Sequence, residues 1–232
     1  MRQRVTKLVL LLLIAVLALS ACGVLSEPEA PSAPIEAVPL AAEAAAESAA
    51  PAASQATVYQ ITPDGSSVRF ELDEDLRGER ITVVGQTDQV AGELALDLAN
   101  PGSAQIGVIQ INARGLTTDN NFRNRAIQNE ILNTGNFEFI TFTPTAVNGM
   151  PASAAVGDTV EFTIDGDLTI TDKTQPVTFN VSATLVSEGQ IAGTATAVIN
   201  RTDFGLNIPS VPSVANVEEE VDLIITFSAN AS

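Results

Sequence analysis

Two adjoining stretches within residues 158–185 alternate apolar and polar side chains over an unusual length. The apolar members are Val160, Phe162, Ile164, Leu168 and Ile170 in the first stretch and Val177, Phe179, Val181, Ala183 and Leu185 in the second. Because successive side chains of a β-strand point to opposite faces, this period of two predicts two strands with one apolar face each. A turn at 172–176 would join them into a long hairpin. An isolated hairpin is at best marginally stable in water, so other strands must cover that face.

Shorter runs of the same character lie on both sides of the hairpin. They occupy residues 58–61, 68–72, 81–85, 90–98, 106–111, 140–142, 191–199 and 221–227. The run at 106–111 is apolar on both parities, which predicts a strand that is covered on both faces or crosses beneath a helix. Eight or more strands that share one apolar face predict an all-β fold. Closure into an antiparallel barrel gathers these faces inside and removes exposed sheet edges.

Residues 120–132 are the segment in which helical spacing replaces alternation. Residues 118–121 are of the types that cap helices, and Phe122, Ala126 and Ile131 then recur at intervals of about one turn. An Asn-Thr-Gly sequence at 133–135 ends the pattern. We therefore predict one short helix among the strands.

The composition restricts the chemistry that the chain can perform. It has 28 acidic and 11 basic residues and a net charge of -17, which argues against nucleic-acid binding because that rests on basic patches. Histidine is absent and Cys22 is the single cysteine. A histidine-dependent triad, a His/Cys zinc site and an internal disulfide are thereby excluded. We predict no catalytic residues, no metal site and no cofactor, and a binding protein rather than an enzyme.

The first 21 residues have the pattern of an export signal. Arg2, Arg4 and Lys7 precede an apolar run at 8–19 that is shorter than the roughly 20 residues of a membrane-spanning helix. The sequence Leu-Ser-Ala-Cys at 19–22 resembles a bacterial lipobox, which predicts lipidation of Cys22. The alternative is an ordinary signal peptide followed by an unrelated cysteine. The lipobox interpretation predicts an exported cell-envelope lipoprotein whose domain lies outside the cytoplasm.

Residues 22–56 differ in composition from both the signal and the domain. They are mostly Ala, Pro, Glu and Ser, with almost no large apolar residue to build a core. We interpret this segment as a disordered tether; a binding motif hidden in it is the alternative. The predicted organisation is a signal peptide at 1–21, the acylated Cys22 with its tether at 22–56, and a β-barrel domain at 57–232.

Three motifs give the domain a family resemblance that covers residues 58–227. They are RNRAIQNEILNTGNFEFITF at 123–142, GDLTI at 166–170 continuing to KTQPVTF at 173–179, and INRTDFGL at 199–206. Together they resemble the YceI family of bacterial exported lipid-binding proteins. The resemblance implies an extended lipocalin-like barrel of about eight strands around a long apolar tunnel for a polyisoprenoid, an isoprenoid quinone or a similar lipid. The chain departs from the family pattern at 76–85 and in lacking histidines, with Ala126-Ile127 near the place of a His-Leu pair.

The alternating pattern and the resemblance together predict a tunnel lining. The predicted lining residues are Phe70, Leu72, Leu94, Leu96, Ile109, Phe142, Phe162, Ile164, Leu168, Phe179, Val181, Ala195, Ala197, Leu223 and Ile225. The small residues Gly193, Ala195 and Ala197 on one strand and Gly107 on another would leave room for the ligand; the alternative is that Phe and Leu side chains from opposite strands fill it. Arg123 and Arg125 are candidates for contact with a head group; a solvated helix face, or an ion pair with Asp119 or Glu130, is the alternative.

These observations leave three hypotheses for function. The first is a membrane-anchored carrier whose partners are an apolar lipid and, through the anchor, the membrane; the sequence leaves a homodimer open. The second is an envelope interaction module with a fully packed barrel. The third is an enzyme that acts on a lipid, for which the sequence offers no catalytic group.

Overall fold

The strands and the helix follow the sequence pattern closely in the computed structural model, which describes residues 26–40 and 56–232. The strands are β1 (Thr57–Ile61), β2 (Ser67–Leu76), β3 (Glu79–Thr87), β4 (Val90–Leu96), β5 (Gln105–Ile106), β6 (Ile109–Asn112), β7 (Phe139–Asn148), β8 (Thr159–Ile170), β9 (Lys173–Ser187), β10 (Gln190–Asn200), β11 (Val214–Ala215) and β12 (Glu220–Ala231). The helix α1 (Asn121–Ala126) continues into a π-helical turn, Ile127–Ile131. Within these described ranges no helix is long and apolar enough to cross a bilayer.

Eight of the strands close into a ring. Their order is β1, β4, β6, β7, β8, β9, β10 and β12, and β12 pairs again with β1 through Tyr59 and Ala231. All neighbours are antiparallel. The β2–β3 hairpin adds to β12, and β5 adds to β4. The predicted all-β antiparallel barrel with a short helix is confirmed.

The long hairpin predicted from residues 158–185 is the β8–β9 pair. Its register runs from Thr159 opposite Thr184 to Ile170 opposite Lys173. The turn is therefore only Thr171–Asp172, with Thr171 at a positive φ of 56°, and the prediction of a turn at 172–176 is wrong. Pro176 lies within β9, in a part that β10 does not reach, since β10 pairs with β9 only from Asn180 onward. A proline is tolerated there because one side of the strand has no ladder to complete.

The two ends of the barrel differ. At the closed end lie α1, the β8–β9 turn and a 3-10 turn at Arg201–Phe204, and apolar side chains fill the interior. The buried residues there are Leu116, Ile127, Leu132, Leu168, Ile170, Ile199, Phe204 and Leu206. At the open end lie the loops 97–104 and 149–158 and the β9–β10 turn. β7 runs from the closed end to the open end, and its 10 residues span about 30 Å along the strand at roughly 3.3 Å per residue.

Residues 26–40, called here the docked segment, lie along the outside of the barrel. Ile35 is buried against it, and the Leu40 amide donates to Glu93 Oε2 at 2.9 Å. Leu40 also covers Gly107. The run at 106–111 is divided between β5 and β6, and Ile106 and Ile109, which differ in parity, both face the barrel interior. The structure thus differs from the expectation of a free tether over this part of residues 22–56. The predicted signal peptide, Cys22 and residues 41–55 of the tether lie outside the described residues.

Candidate functional site: an apolar one-ended cavity

The open half of the barrel encloses a cavity of about 120 Å³. Side chains from β1, β4, β6, β7, β8, β9, β10 and β12 line it, so it lies on the barrel axis. Typical small-molecule pockets hold about 300–1,000 Å³. A cavity of about 150 Å³ lined by Leu, Ile and Phe stays dry and accepts one benzene-sized molecule. Without rearrangement, this cavity therefore has room for a hydrocarbon segment of about that size.

Most of the predicted lining residues surround this cavity. They are Leu94, Leu96, Ile109, Phe142, Phe162, Ile164, Phe179, Val181, Ala195 and Ile225. The structure places Phe70, Leu72, Leu168, Ala197 and Leu223 outside the lining, in the closed half or on the β2–β3 side. Alternation indicates which face a side chain occupies, and these five do pack on the core. It carries no information on depth along the barrel axis or on whether a strand belongs to the eight-stranded ring, and these two properties separate the groups.

The remaining lining residues were not predicted from the sequence. They are Ile61, Leu98, Pro101, Ala104, Ile106, Val147, Met150, Ala154, Asp158, Val160, Ala183, Leu185, Ile191 and Phe227. Several, such as Val160 and Leu185, belong to the same alternating apolar series as the residues that were predicted. Those in the loops at the open end, such as Leu98 and Met150, follow no period. A pattern search cannot find these loop residues, because only the fold brings them over the cavity.

Phenylalanine rings lying over glycines keep the cavity small. A Cβ at Gly166 would be 2.5 Å from Phe142 Cζ, and one at Gly193 would be 2.9 Å from Phe227 Cζ. The Phe142 ring also meets Phe179 edge to face, with centroids 4.9 Å apart. The expectation that Gly193 and Gly107 leave room for a ligand is therefore wrong. Phe227 occupies the space at Gly193, and Gly107 faces the docked segment.

Asp158 is the one charged side chain among the described residues that line the cavity, and it is exposed at the open end. Its Oδ2 accepts a hydrogen bond from the Ala155 amide at 2.9 Å, and its own amide donates to the Ala155 carbonyl at 3.0 Å. The Leu185 amide donates to the Asp158 carbonyl at 3.1 Å. These bonds hold the carboxylate at the entrance of the cavity.

Arg123 and Arg125 lie at the closed end, outside the cavity lining. Arg123 makes ion pairs with Glu74 at 2.9 Å and with Asp119 at 2.5 Å, and Glu74 is buried. Arg125 pairs with Glu27 of the docked segment at 3.2 Å. The ion-pair alternative therefore describes both side chains, with Glu74 and Glu27 as partners that the sequence did not indicate.

An acidic surface cleft beside β2 and β12 is separate from the cavity. Its lining residues are Glu71, Leu72, Asp73, Thr82, Val198, Glu218, Glu220 and Asp222. Arg80 forms ion pairs with Asp73, Asp75 and Glu218 next to it. In the part of the chain that the structure describes, no group of three or more His, Cys, Asp or Glu side chains is placed to hold a metal ion.

A closed eight-stranded barrel with an apolar, one-ended interior belongs to the class of small β-barrels that can hold one hydrophobic ligand. The YceI-like domain family matches residues 59–229, and the chain belongs to this family. A UPF0312 protein of Shewanella baltica (strain OS155) is 30% identical over 181 residues, which cover 75% of this chain and 88% of that protein.

Solved structures share the fold at lower identity. A polyisoprenoid binding domain from Saccharophagus degradans superposes with a TM-score of 0.61 at 15% identity, over 76% of this chain and 99% of that one. BcnA of Burkholderia cenocepacia gives a TM-score of 0.58 at 16% identity, over 73% of this chain and 99% of its own. The Campylobacter jejuni YceI protein gives 0.52 at 17% identity, over 64% and 84% of the two chains.

Proposed function

We propose that this protein is an extracytoplasmic carrier, anchored to a membrane through acylated Cys22, that holds the hydrocarbon chain of a polyisoprenoid or a similar lipid inside its barrel. The observation that carries the proposal is the one-ended cavity, lined by apolar side chains everywhere except at Asp158. The polyisoprenoid binding domain of Saccharophagus degradans, which has the same fold, supports it. The lipobox-like sequence at 19–22 supports the anchor and a place in the cell envelope.

The energetics require several isoprene units in the barrel. Burial contributes about 0.8 kcal/mol per methylene-sized group, so one five-carbon unit contributes about 4 kcal/mol. Association costs an estimated 4–15 kcal/mol in lost freedom. About three units are therefore needed for useful affinity, and more room than 120 Å³ is needed to hold them. The groups able to yield are the Phe162 and Phe227 rings and Met150 at the entrance, whose unbranched side chain repacks readily.

The charge at the entrance favours a neutral head group. Asp158 is the charged residue there, and the chain as a whole carries a net charge of -17. The negative charge would repel a phosphate or diphosphate, and the described lining residues include no cation to offset that repulsion. An alcohol or a quinone would not be repelled. We therefore infer a neutral amphiphile as the ligand.

The small size of the cavity favours one second candidate, an envelope interaction module whose barrel stays packed. Direct ligand titration separates the two. The unlabelled chain with Cys22→Ser, which removes the anchor, would be titrated with geranylgeraniol and the complex counted by native mass spectrometry. A saturable one-to-one complex supports the carrier. Failure to bind any prenyl alcohol or quinone, together with the absence of co-purifying lipid, supports the module.

A pair of substitutions on β10 tests whether the ligand occupies this cavity. Ala195 and Ala197 face the same side of the strand, but only Ala195 lines the cavity. Ala195→Leu fills space that the ligand needs, and we expect at least a tenfold loss of affinity. Ala197→Leu crowds the closed half, with a similar overpacking cost of about 1–3 kcal/mol in stability and affinity unchanged. Equal effects of the two substitutions on affinity, at matched thermal stability, would exclude this cavity as the site.

A further inference from the structure

We propose that the closed end of the barrel, around Phe122 of α1, lies against the membrane that holds Cys22, so that the cavity opens away from that membrane. The inference rests on the anchoring proposed above. It concerns a surface that the carrier function does not use, and its partner is a lipid bilayer. Three features of the structure lead to it: the path of the docked segment, its distance from the anchor, and the apolar side chains at the closed end.

The docked segment begins on α1 and its π-helical continuation. The Asn129 side chain donates to the Ser26 carbonyl at 3.0 Å, and Arg125 pairs with Glu27 at 3.2 Å. Glu29 then pairs with Arg114 at 2.7 Å, and Arg114 is only 11% exposed. The start of the segment is thus fixed at the closed end by contacts with two regions of the barrel domain.

The rest of the segment is held equally well. The amide and the hydroxyl of Ser32 both donate to Glu138 Oε1, at 2.8 and 2.9 Å. Ile35 follows, 8% exposed, and the segment reaches β4 at Leu40. Its direction is therefore from the closed end toward the middle of the barrel. The chain preceding Ser26 leaves from the closed end.

This path limits how far the anchor can be from the barrel. Cys22 precedes Ser26 by four residues, which span at most about 14 Å when fully extended. A free spacer of the length first predicted would have a root-mean-square span of about 30 Å and would allow any orientation. With residues 26–40 docked, the acylated residue stays within about 14 Å of the surface formed by Asn129 and Arg125.

The surface next to that point carries exposed aromatic side chains. Phe122 is 67% exposed, and it lies on α1 one turn before Arg125 and two turns before Asn129, on the same side. Phe139, at the closed-end start of β7, is 39% exposed. Among the described residues these are the exposed phenylalanines. Apolar aromatic rings beside an acyl anchor are suited to the interfacial region of a bilayer.

The orientation has a consequence for ligand exchange. The entrance, with Asp158 and the exposed Val156, is at the far end of β7, about 30 Å from Phe139. A bilayer against the closed end leaves this entrance facing the aqueous space. The lipid would then be exchanged with a partner or membrane on the opposite side, and the anchoring bilayer would not feed the cavity directly.

Fluorescence quenching on vesicles tests the orientation. The full acylated protein, in which lipid blocks Cys22, would carry Phe122→Cys or, as the matched control, Val156→Cys, each labelled with a polarity-sensitive dye. Both positions are exposed apolar residues at opposite ends. In phosphatidylcholine vesicles containing a lipid-bound quencher, we expect quenching at 122 to be at least threefold stronger than at 156. Equal or reversed quenching overturns the proposal.

Two further variants separate the orientation from the anchor. Ile35→Asp combined with Glu29→Lys releases the docked segment; we expect the vesicle-bound fraction to be kept and the quenching at 122 to fall to the level at 156. Unchanged quenching in this variant, with release verified by proteolysis at 26–40, also overturns the proposal. Cys22→Ser should abolish vesicle binding. If intact mass shows no acyl group, or if Cys22→Ser binds as well as the wild type, the anchor fails, and the orientation argued from it fails too.

Discussion

At the scale of single residues, Asp158 is the one charged side chain among the described residues that line the cavity. In the proposed carrier the apolar lining contributes affinity for the hydrocarbon chain, and Asp158 acts on the head group. Asp158 is exposed and held in place by the Ala155 amide, so its charge acts in high dielectric. Two unit charges about 4 Å apart interact by about 1 kcal/mol in water. The effect is modest, and it acts only on the head group.

Asp158→Asn should therefore change selectivity while hydrocarbon affinity is kept. The asparagine can still accept from the Ala155 amide, so we expect the loop to keep its structure. Affinity for geranylgeranyl phosphate should rise up to about fivefold at low ionic strength, equivalent to about 1 kcal/mol, and affinity for geranylgeraniol should stay constant. Titration of both ligands at two salt concentrations measures this. An equal gain for the alcohol would show that the substitution acts on the cavity and not through charge.

At the level of residues, a period in the sequence predicts the face that a strand residue occupies and not whether it lines the cavity. Phe162 and Val181 face the cavity because alternation fixes the face of each strand residue. The pairing of Arg123 with Glu74 joins residues 49 positions apart, and no local pattern contains it. No local pattern shows that the Phe142 ring lies over Gly166 either, because a glycine in a strand can indicate open space or close packing. Only the register of neighbouring strands distinguishes these.

At the scale of elements, the docked segment is the feature that composition concealed. Its Ala, Pro and Glu content lacks the apolar surface that builds a core, and Ile35 is its single buried large side chain. It is held by barrel groups far away in the chain, chiefly Arg114 and Glu138. The β8–β9 hairpin and α1, in contrast, carry local signals of period and capping, such as Asn120 accepting from the Phe122 and Arg123 amides. Elements stabilised by their own pattern could be predicted; an element stabilised by others could not.

Docking should depend on pH through Glu138. Burial would raise the pKa of this carboxyl, but hydrogen bonds from Ser32 and Asn112 and the Arg114 charge outweigh it, and the pKa lies below its ordinary value of 4.5. The Ser32 hydrogen bonds are the part of this shift that exists only when the segment is docked. They stabilise docking at a pH above the ordinary value, and this stabilisation is lost as the pH falls through the lower, folded value. The Ser32 amide resonance should therefore shift during acid titration below about pH 4.5, a range set by the unfolded reference.

Two matched variants test whether Glu138 causes the pH-dependent shift of the Ser32 resonance. Glu138→Gln keeps an acceptor for Ser32 but cannot titrate, so the shift of the Ser32 resonance should disappear. Glu36→Gln removes an exposed carboxylate of the same segment and should leave the shift in place. A shift that persists in Glu138→Gln would assign the pH dependence to another group.

At the scale of the whole molecule, the barrel is asymmetric along its axis. β12 pairs with β1, so the ring leaves no sheet edge with unpaired backbone groups there. The sequence predicts this closure because it contains many short strands that each have one apolar face. The division into a packed half and a hollow half does not follow from parity. It results from α1, its π-helical turn and the 201–206 loop, which supply Ile127, Phe204 and Leu206 to one end only. In the proposed carrier, this asymmetry would limit the length of chain that the barrel can hold.

Affinity for prenyl alcohols should therefore rise with chain length and then level off. From geraniol to farnesol to geranylgeraniol each added unit enters the barrel, contributing up to about 4 kcal/mol when fully buried. Longer chains should bind no more tightly, because the packed half blocks further entry and extra units stay in water.

Leu168 forms part of this block, directly opposite Phe142 in the β7–β8 register. Leu168→Ala should cost about 2–5 kcal/mol in stability and move the plateau to a longer chain. Leu206→Ala also shortens a side chain of the packed half, but Leu206 lies in the 201–206 loop and not on a strand opposite a cavity-lining residue. It should reduce stability without moving the plateau. Isothermal titration across the series gives the plateau directly, and an affinity that keeps rising with length in the wild type would mean that the barrel is open at both ends.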